Sequence, residues 1–436
     1  MNVLSSEDNI IFQKIAVRLI LILFVTVIFL GDSLCFWGTS SSSVVHSQSF
    51  YGSDLQISSD KNYRASVKEV QLKLWQISLA RRYGSTLKKN VKDGVVHIRM
   101  TKYFNNRPLR INVIEFNPYL NPDIKIVPLM AGDKLAKKAS VVNMSQKNNA
   151  VAAVNGSFFK PQTGVPLGIM MIDKKLLTGP IYDRVALGIT DNGFKMDRVS
   201  LNASLSYLGN TLKVNNINQP RTLCTDVLIY TADWGKVSPK TAKYGIQIAV
   251  QDGKIIEMSE NPLNVPQKNG YVISAPRSKI DEFLSVEKER KILKRKENKE
   301  ILLDVKTNPD WEDVNHIISG GPFLVKDGNV FVDYVEEKFK PITGKNPRTA
   351  VGYTKEGYFI MVTIDGREQN SVGAGLFELA KIMKSFDCVY AMNLDGGGSS
   401  TMQINGRIVN SPSVRGGINV SNSLALVQTD KLSLAE

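Results

Sequence analysis

The stretch that most limits how this chain can fold is Cys388-Val389-Tyr390-Ala391-Met392, an apolar run that leads directly into Asn393-Leu394-Asp395-Gly396-Gly397-Gly398-Ser399-Ser400-Thr401. The run reads as a buried strand, and the polar cluster begins where that strand stops. Three successive glycines do not serve packing. They permit positive φ and close backbone approach, and successive amides in such a turn can form an anion-binding nest. Asn393 and Asp395 flank an apolar residue, so continued strand geometry points an amide and a carboxylate to one face. The pattern predicts a polar-ligand site; the alternative is a surface turn in which Asp395 and Ser399 bond local backbone.

The same pattern recurs along the chain. The apolar run 150–154 ends in Asn155-Gly156-Ser157-Phe158-Phe159, either another part of a site or a strand-end turn with core aromatics. Residues 317–324 read as a buried strand carrying the pair Gly320-Gly321, followed by a hairpin turn at Lys326-Asp327-Gly328-Asn329. The run 358–364 ends in Asp365-Gly366-Arg367. Further strands are predicted over 95–100, 110–116, 124–129, 223–229, 244–250 and 271–274, and helices over 136–148 and 375–384. Arg184-Val185-Ala186-Leu187-Gly188 is echoed by Arg348-Thr349-Ala350-Val351-Gly352, and both read as hairpins. They imply a duplicated β unit, or one solution reached twice within one sheet. The predicted class is α+β, a mixed, largely antiparallel sheet built from repeated β-hairpins with flanking helices.

Lys14 and Arg18 precede the apolar run 19–30, which has the length of a signal-peptide core. Residues 1–36 are therefore expected to export the chain, as a signal peptide or as an uncleaved anchor that holds it to the membrane. Residues 37–62 read as a linker and 63–94 as a lead-in helix, with Val67, Val70, Leu74, Ile77 and Leu79 at helical spacing. The charged run 287–300 interleaves its signs and reads as a solvated helix. A single domain is expected over 95–430.

With 436 residues, 43% of them hydrophobic, the chain can bury a sizeable core. Its net charge of +14 favours anionic partners, and without a nucleic-acid-binding motif nucleic acid is not expected among them. Cys35, Cys224 and Cys388 are too few for a disulfide framework. A Cys224–Cys388 bond is compatible with the sequence, but two buried free thiols are expected. The three histidines, His46, His97 and His316, have neither zinc-like nor triad-like neighbours, which argues against histidine-based catalysis.

Taken in order, Asn155-Gly156-Ser157-Phe158-Phe159, Ser319-Gly320-Gly321-Pro322, the run 347–352, Asp365-Gly366-Arg367 and the run 393–400 resemble the phosphodiester glycosidase domain family, over about residues 95–430. The family pattern has Gly where Ser157 stands and Glu-Arg where Val414-Arg415 stands. The resemblance implies hydrolysis of the bond between a sugar's anomeric carbon and a phosphodiester, on cell-envelope or exopolysaccharide glycans. It implies Asp395 as the catalytic carboxylate with Asp365 second, and Arg348 with the amides of Gly396, Gly397 and Gly398 as holders of the leaving phosphate. Asn155, Gly156, Asn393, Ser399 and Arg415 complete the expected substrate-binding set. A phosphate-bearing glycan is the expected partner. No cofactor is required by this reading. The alternatives are a metal-dependent phosphodiesterase with a divalent cation on Asp365 and Asp395, and a non-catalytic polysaccharide-binding protein.

Overall fold

Strands whose side chains are apolar at nearly every position must be covered on both faces, and that requirement organises the molecule. The computed structural model describes residues 61–285, 300–339 and 344–429. The expected export segment, most of the linker and all but the last residue of the charged run 287–300 lie outside them. Eight strands form one antiparallel sheet in the order Leu87–Lys92, Val95–Phe104, Arg107–Phe116, Phe359–Ile364, Arg348–Thr354, Cys388–Asn393, Phe323–Lys326 and Asn329–Val330. One face of it is packed by the helices Lys61–Tyr83 and Leu376–Ser385 through Trp75, Leu79, Ile111, Leu379 and Met383. On the other face Ile114, Phe359 and Met392 share a core with Val154, Leu187 and Leu424 from two five-stranded sheets. One of these sheets carries Ala150–Asn155 at its centre, and the other carries Val314–Ser319 beside Val185–Thr190. Phe359 is fully buried, and truncating such a side chain to Ala costs about 3–5 kcal/mol.

The lead-in helix expected over 63–94 spans Lys61–Tyr83 and gives way to the strand Leu87–Lys92, and it is built into the body by a buried carboxylate. Glu115 accepts from Trp75 Nε1 at 2.7 Å and from Tyr83 Oη at 2.7 Å, and its charge is met by the Arg82 guanidinium. The described residues of 200–285 and 300–308 form a three-stranded and a five-stranded sheet with a core of their own around Leu205, Ile229, Ile248 and Phe283. The pairing is antiparallel throughout except between Asn216–Ile217 and Leu228–Thr231. Among the described residues no helix is long and apolar enough to cross a membrane.

Several local expectations are corrected, most of them by a competing hydrogen bond. The helix expected over 136–148 is confined to Val141–Lys147, because Ala139 pairs with Val420 in extended form and Ser140 caps the helix through the Asn143 amide at 3.1 Å. Within 223–229 only Leu228 and Ile229 are in a strand, Leu228–Thr231, since the Asp226 carboxylate accepts from the Thr222 and Leu223 amides and closes a turn. The run 317–324 is two strands in two sheets. Gly320 donates to Val185 O and Gly321 to Asn393 O, so the chain changes partner there. The two echo hairpins also lie in different sheets, not one. Cys224 and Cys388 are both free, the first exposed and only the second buried.

Candidate active site

The strand Cys388–Asn393 ends where the sequence places it, and Gly397–Ser399 form a single 3₁₀ turn behind it. Gly397 has φ +62°, the left-handed conformation that disfavours a side chain. Asp395 lies just past the strand end. Its carboxylate accepts from Ser399 Oγ at 2.6 Å and from the Gly396 amide at 3.0 Å. Among the described residues no cation lies within ion-pair distance of it. Burial pushes its pKa up to about 6, against the opposing effect of those two hydrogen bonds.

The loop is held from behind by the Asn155 strand. Asn155 Nδ2 donates to Asp395 O at 2.7 Å, while its Oδ1 accepts from Thr349 Oγ1 at 2.7 Å and the Thr401 amide at 3.1 Å. Gly156 O accepts from the Asp395 amide at 3.1 Å. A methyl group on Gly156 would fall 1.9 Å from Asn422 Oδ1, so glycine is required by close approach. Both Asn155 and Gly156 thus shape the site, with the Asn155 carboxamide fully engaged inside the protein. Asn393 is also buried; its Nδ2 donates to Gly321 O at 2.9 Å and its Oδ1 has no partner.

Two arginines border the glycine turn. Arg348 is buried, donates from Nε to Ala374 O at 2.8 Å and from Nη2 to Gly344 O at 3.1 Å, and has no carboxylate within ion-pair distance among the described residues. Burial lowers its pKa, yet a guanidinium stays charged. A methyl group on Gly396 would lie 3.9 Å from its Nη1, and one on Gly397 would lie 3.3 Å from Nη2 of Arg367. Arg367 is exposed, held at φ +64°, and donates to Asn346 Oδ1 at 2.9 Å. The expected three-amide nest is largely used up internally, because Gly396 N caps Asp395 and Gly397 N bonds Pro347 O at 2.9 Å, leaving Gly398 N. Charge for an anion at this turn therefore comes from the guanidiniums.

Four of the five motifs lie in a stretch that matches a known family. Residues 244–427 match the family model described as phosphodiester glycosidase. That stretch of the chain is similar to the phosphodiester glycosidase family. An N-acetylglucosamine-1-phosphodiester alpha-N-acetylglucosaminidase of Mus musculus is 34% identical over 108 residues, 22% of this chain and 21% of the mouse protein. The chain thus aligns with about a fifth of that relative's length. The fold is shared with a hypothetical protein from Synechocystis, with a TM-score of 0.70, 23% identity, and coverage of 78% of this chain and 64% of that one. A putative exported protein from Burkholderia pseudomallei K96243 gives 0.61 and 22%, covering 73% and 74%.

Within the matched residues Asp365 is placed as a support. It is 1% exposed, and Oδ1 accepts from the Ser411 amide at 2.8 Å and Asn410 Nδ2 at 3.2 Å, while Arg110 Nε stands 3.8 Å from Oδ2. Burial raises its pKa against these contacts. Asn410 also donates to Ser400 O at 3.1 Å and accepts from the Met402 amide, so Asp365 steadies the far end of the glycine turn. Arg415 is exposed on the loop whose Val414 and Ile418 approach Gly398. Among the described residues no three His, Cys, Asp or Glu gather as a metal site. Arg367, Asn410 and Asn422 are the residues that sequence reasoning missed. Arg367 stood in a quoted motif, Asp365-Gly366-Arg367, and a non-glycine residue after Asp-Gly was the available signal.

Proposed function

We propose that this protein is a hydrolase that cleaves the bond between a sugar's anomeric carbon and a phosphodiester. The observation that carries the reading is Asp395, a carboxylate without an ion-pair partner among the described residues, set at a strand end beside the guanidiniums of Arg348 and Arg367. A phosphodiester is already anionic and departs as a stable phosphate ester, so it needs cationic support more than a strong general acid. Arg348 and Arg367, with the Gly398 amide, receive that charge. The oxocarbenium-like transition state needs a nearby carboxylate, and Asp395 supplies it. Ser399 orients Asp395, and Asn155 and Asp365 hold the two ends of its loop. Arg415 extends the cationic rim. The domain reading over 95–430 is part of this proposal, with Lys61–Tyr83 docked on it. The apolar run 19–30 supports export, and the net charge of +14 supports an envelope or exopolysaccharide glycan as substrate.

The full chain is to be assayed on a panel of sugar-1-phosphodiesters, measuring free reducing sugar and phosphomonoester together. Stoichiometric release that is lost in Asp395→Asn supports the reading. Release that survives Asp395→Asn, or no release from any member, overturns it.

A further inference from the structure

Arg184 begins one half of the internal echo as Arg348 begins the other, and it lies outside the residues that match the family. Each arginine stands at the start of a strand tied to a loop of the site. Leu394 N donates to Thr349 O at 2.9 Å, and Gly320 N donates to Val185 O at 3.0 Å. Gly321 and Asn393 then exchange two hydrogen bonds, from Gly321 N to Asn393 O at 2.7 Å and from Asn393 Nδ2 to Gly321 O at 2.9 Å.

Arg184 forms no ion pair among the described residues, and the buried Glu337 carboxylate that acts on its charge is engaged by the amides of Val185 at 3.1 Å and Phe323 at 2.7 Å. Its Nε donates to Glu337 O at 3.2 Å, and its Nη atoms make no hydrogen bond among the described residues. The guanidinium lies 3.8 Å from the Phe339 ring centroid, with Tyr182 at 5.5 Å and Phe158 at 5.8 Å. Lys338 stands over one of these rings, its Nζ 5.3 Å from the centroid of Tyr182. Stacking occupies the flat faces of a guanidinium and leaves its N–H edge free, the geometry that takes a phosphate through two hydrogen bonds. This cluster borders the Asp395 loop on two sides. Phe158 is two residues beyond Gly156, which bonds the Asp395 amide, and a methyl group on Gly321 would fall 2.6 Å from Phe339 Cε2.

We infer that Arg184, with Lys338 beside it, binds a second phosphate of the substrate, so that the preferred substrate is a glycan with repeated phosphodiester linkages. The inference rests on the hydrolase reading above. A second anion explains why a second arginine at a strand start is stacked on aromatic rings with its Nη edge unused among the described residues.

The test uses the full chain and two substrates of the same sugar, one with a single phosphodiester and one an oligomer in which the linkage repeats. Arg184→Gln is expected to lower the ratio of kcat/KM on the oligomer to that on the single diester by about tenfold, the scale of one charge-assisted contact. Lys338→Gln, an exposed position where folding is not at risk, lowers the ratio by a smaller factor. A ratio unchanged in both variants overturns the inference. If the wild type cleaves neither substrate, the hydrolase reading falls, and calorimetric binding of the oligomer decides the subsite alone. Weaker binding in Arg184→Gln upholds it, and equal binding overturns it.

Discussion

Two places in this molecule withdraw an arginine and a carboxylate from water, and they use them in opposite ways. At the amino-terminal helix, Arg82 and Glu115 are bonded to each other, with Trp75 and Tyr83 completing the carboxylate. At the glycine turn, Arg348 is held by the carbonyls of Ala374 and Gly344, and Asp395 by Ser399 and the Gly396 amide. Neither takes a charged partner there. The first arrangement satisfies its charges and fixes a helix to a sheet. The second keeps its charges in reserve, at a cost in folding energy that a bound substrate is placed to offset.

Breaking the first pair has the largest expected effect. Glu115→Gln leaves the buried Arg82 charge only the half-exposed Asp387 carboxylate, 3.9 Å away, and is expected to lower stability by about 3 kcal/mol, seen as a fall in the denaturant midpoint, with turnover per folded molecule retained. A midpoint near that of the wild type would dissolve the contrast between the two sites.

Asp395→Asn is next and reverses the pattern. Turnover is expected to fall at least about 100-fold, or roughly 2.7 kcal/mol, with the fold intact. A variant that melts early yet keeps its specific activity would reduce Asp395 to a turn residue.

The pH dependence sharpens the same point. Because burial raises Asp395 to about 6, the folded protein keeps a proton that the unfolded chain releases near the ordinary carboxylate value. Stability from this group is present in acid and is lost as pH rises toward and through about 6. The unfolding free energy of Asp395→Asn is therefore expected to gain on the wild type between acid and neutral pH, by up to about 2 kcal/mol with partial exposure discounted. In the wild type, kcat/KM should show an acid limb with an apparent pKa near 6, the ionised carboxylate being the active form. A free-energy difference that is flat with pH would mean that Asp395 is not desolvated as described.

The smallest effect is expected at the exposed member of the cationic rim. Arg367→Gln should cost about tenfold in kcat/KM, the order of one charge-assisted hydrogen bond, and little stability. If the loss matches that of Asp395→Asn, the charge burden lies on Arg367 instead of Arg348.

What was legible in the sequence was local. Apolar runs ending in Asn-Gly, Asp-Gly-Arg or Asn-Leu-Asp-Gly-Gly-Gly marked strands and their ends, because burial period and glycine conformation are written within a few residues. The main strands, the helix Leu376–Ser385 and the position of Asp395 at a strand end followed from this. Tertiary structure decided which polar groups remain unused. The Asn155 carboxamide is engaged by Thr349, Thr401 and the Asp395 carbonyl, partners about 200 residues or more away. Two of the three glycine amides are spent on Asp395 and Pro347, while Arg367 reaches the turn from another strand end. Hydrogen-bond capacity is finite and is allocated by whichever segments fold together. Residue type could therefore announce a site here, but only the packed chain determined which of its groups are left to meet a substrate.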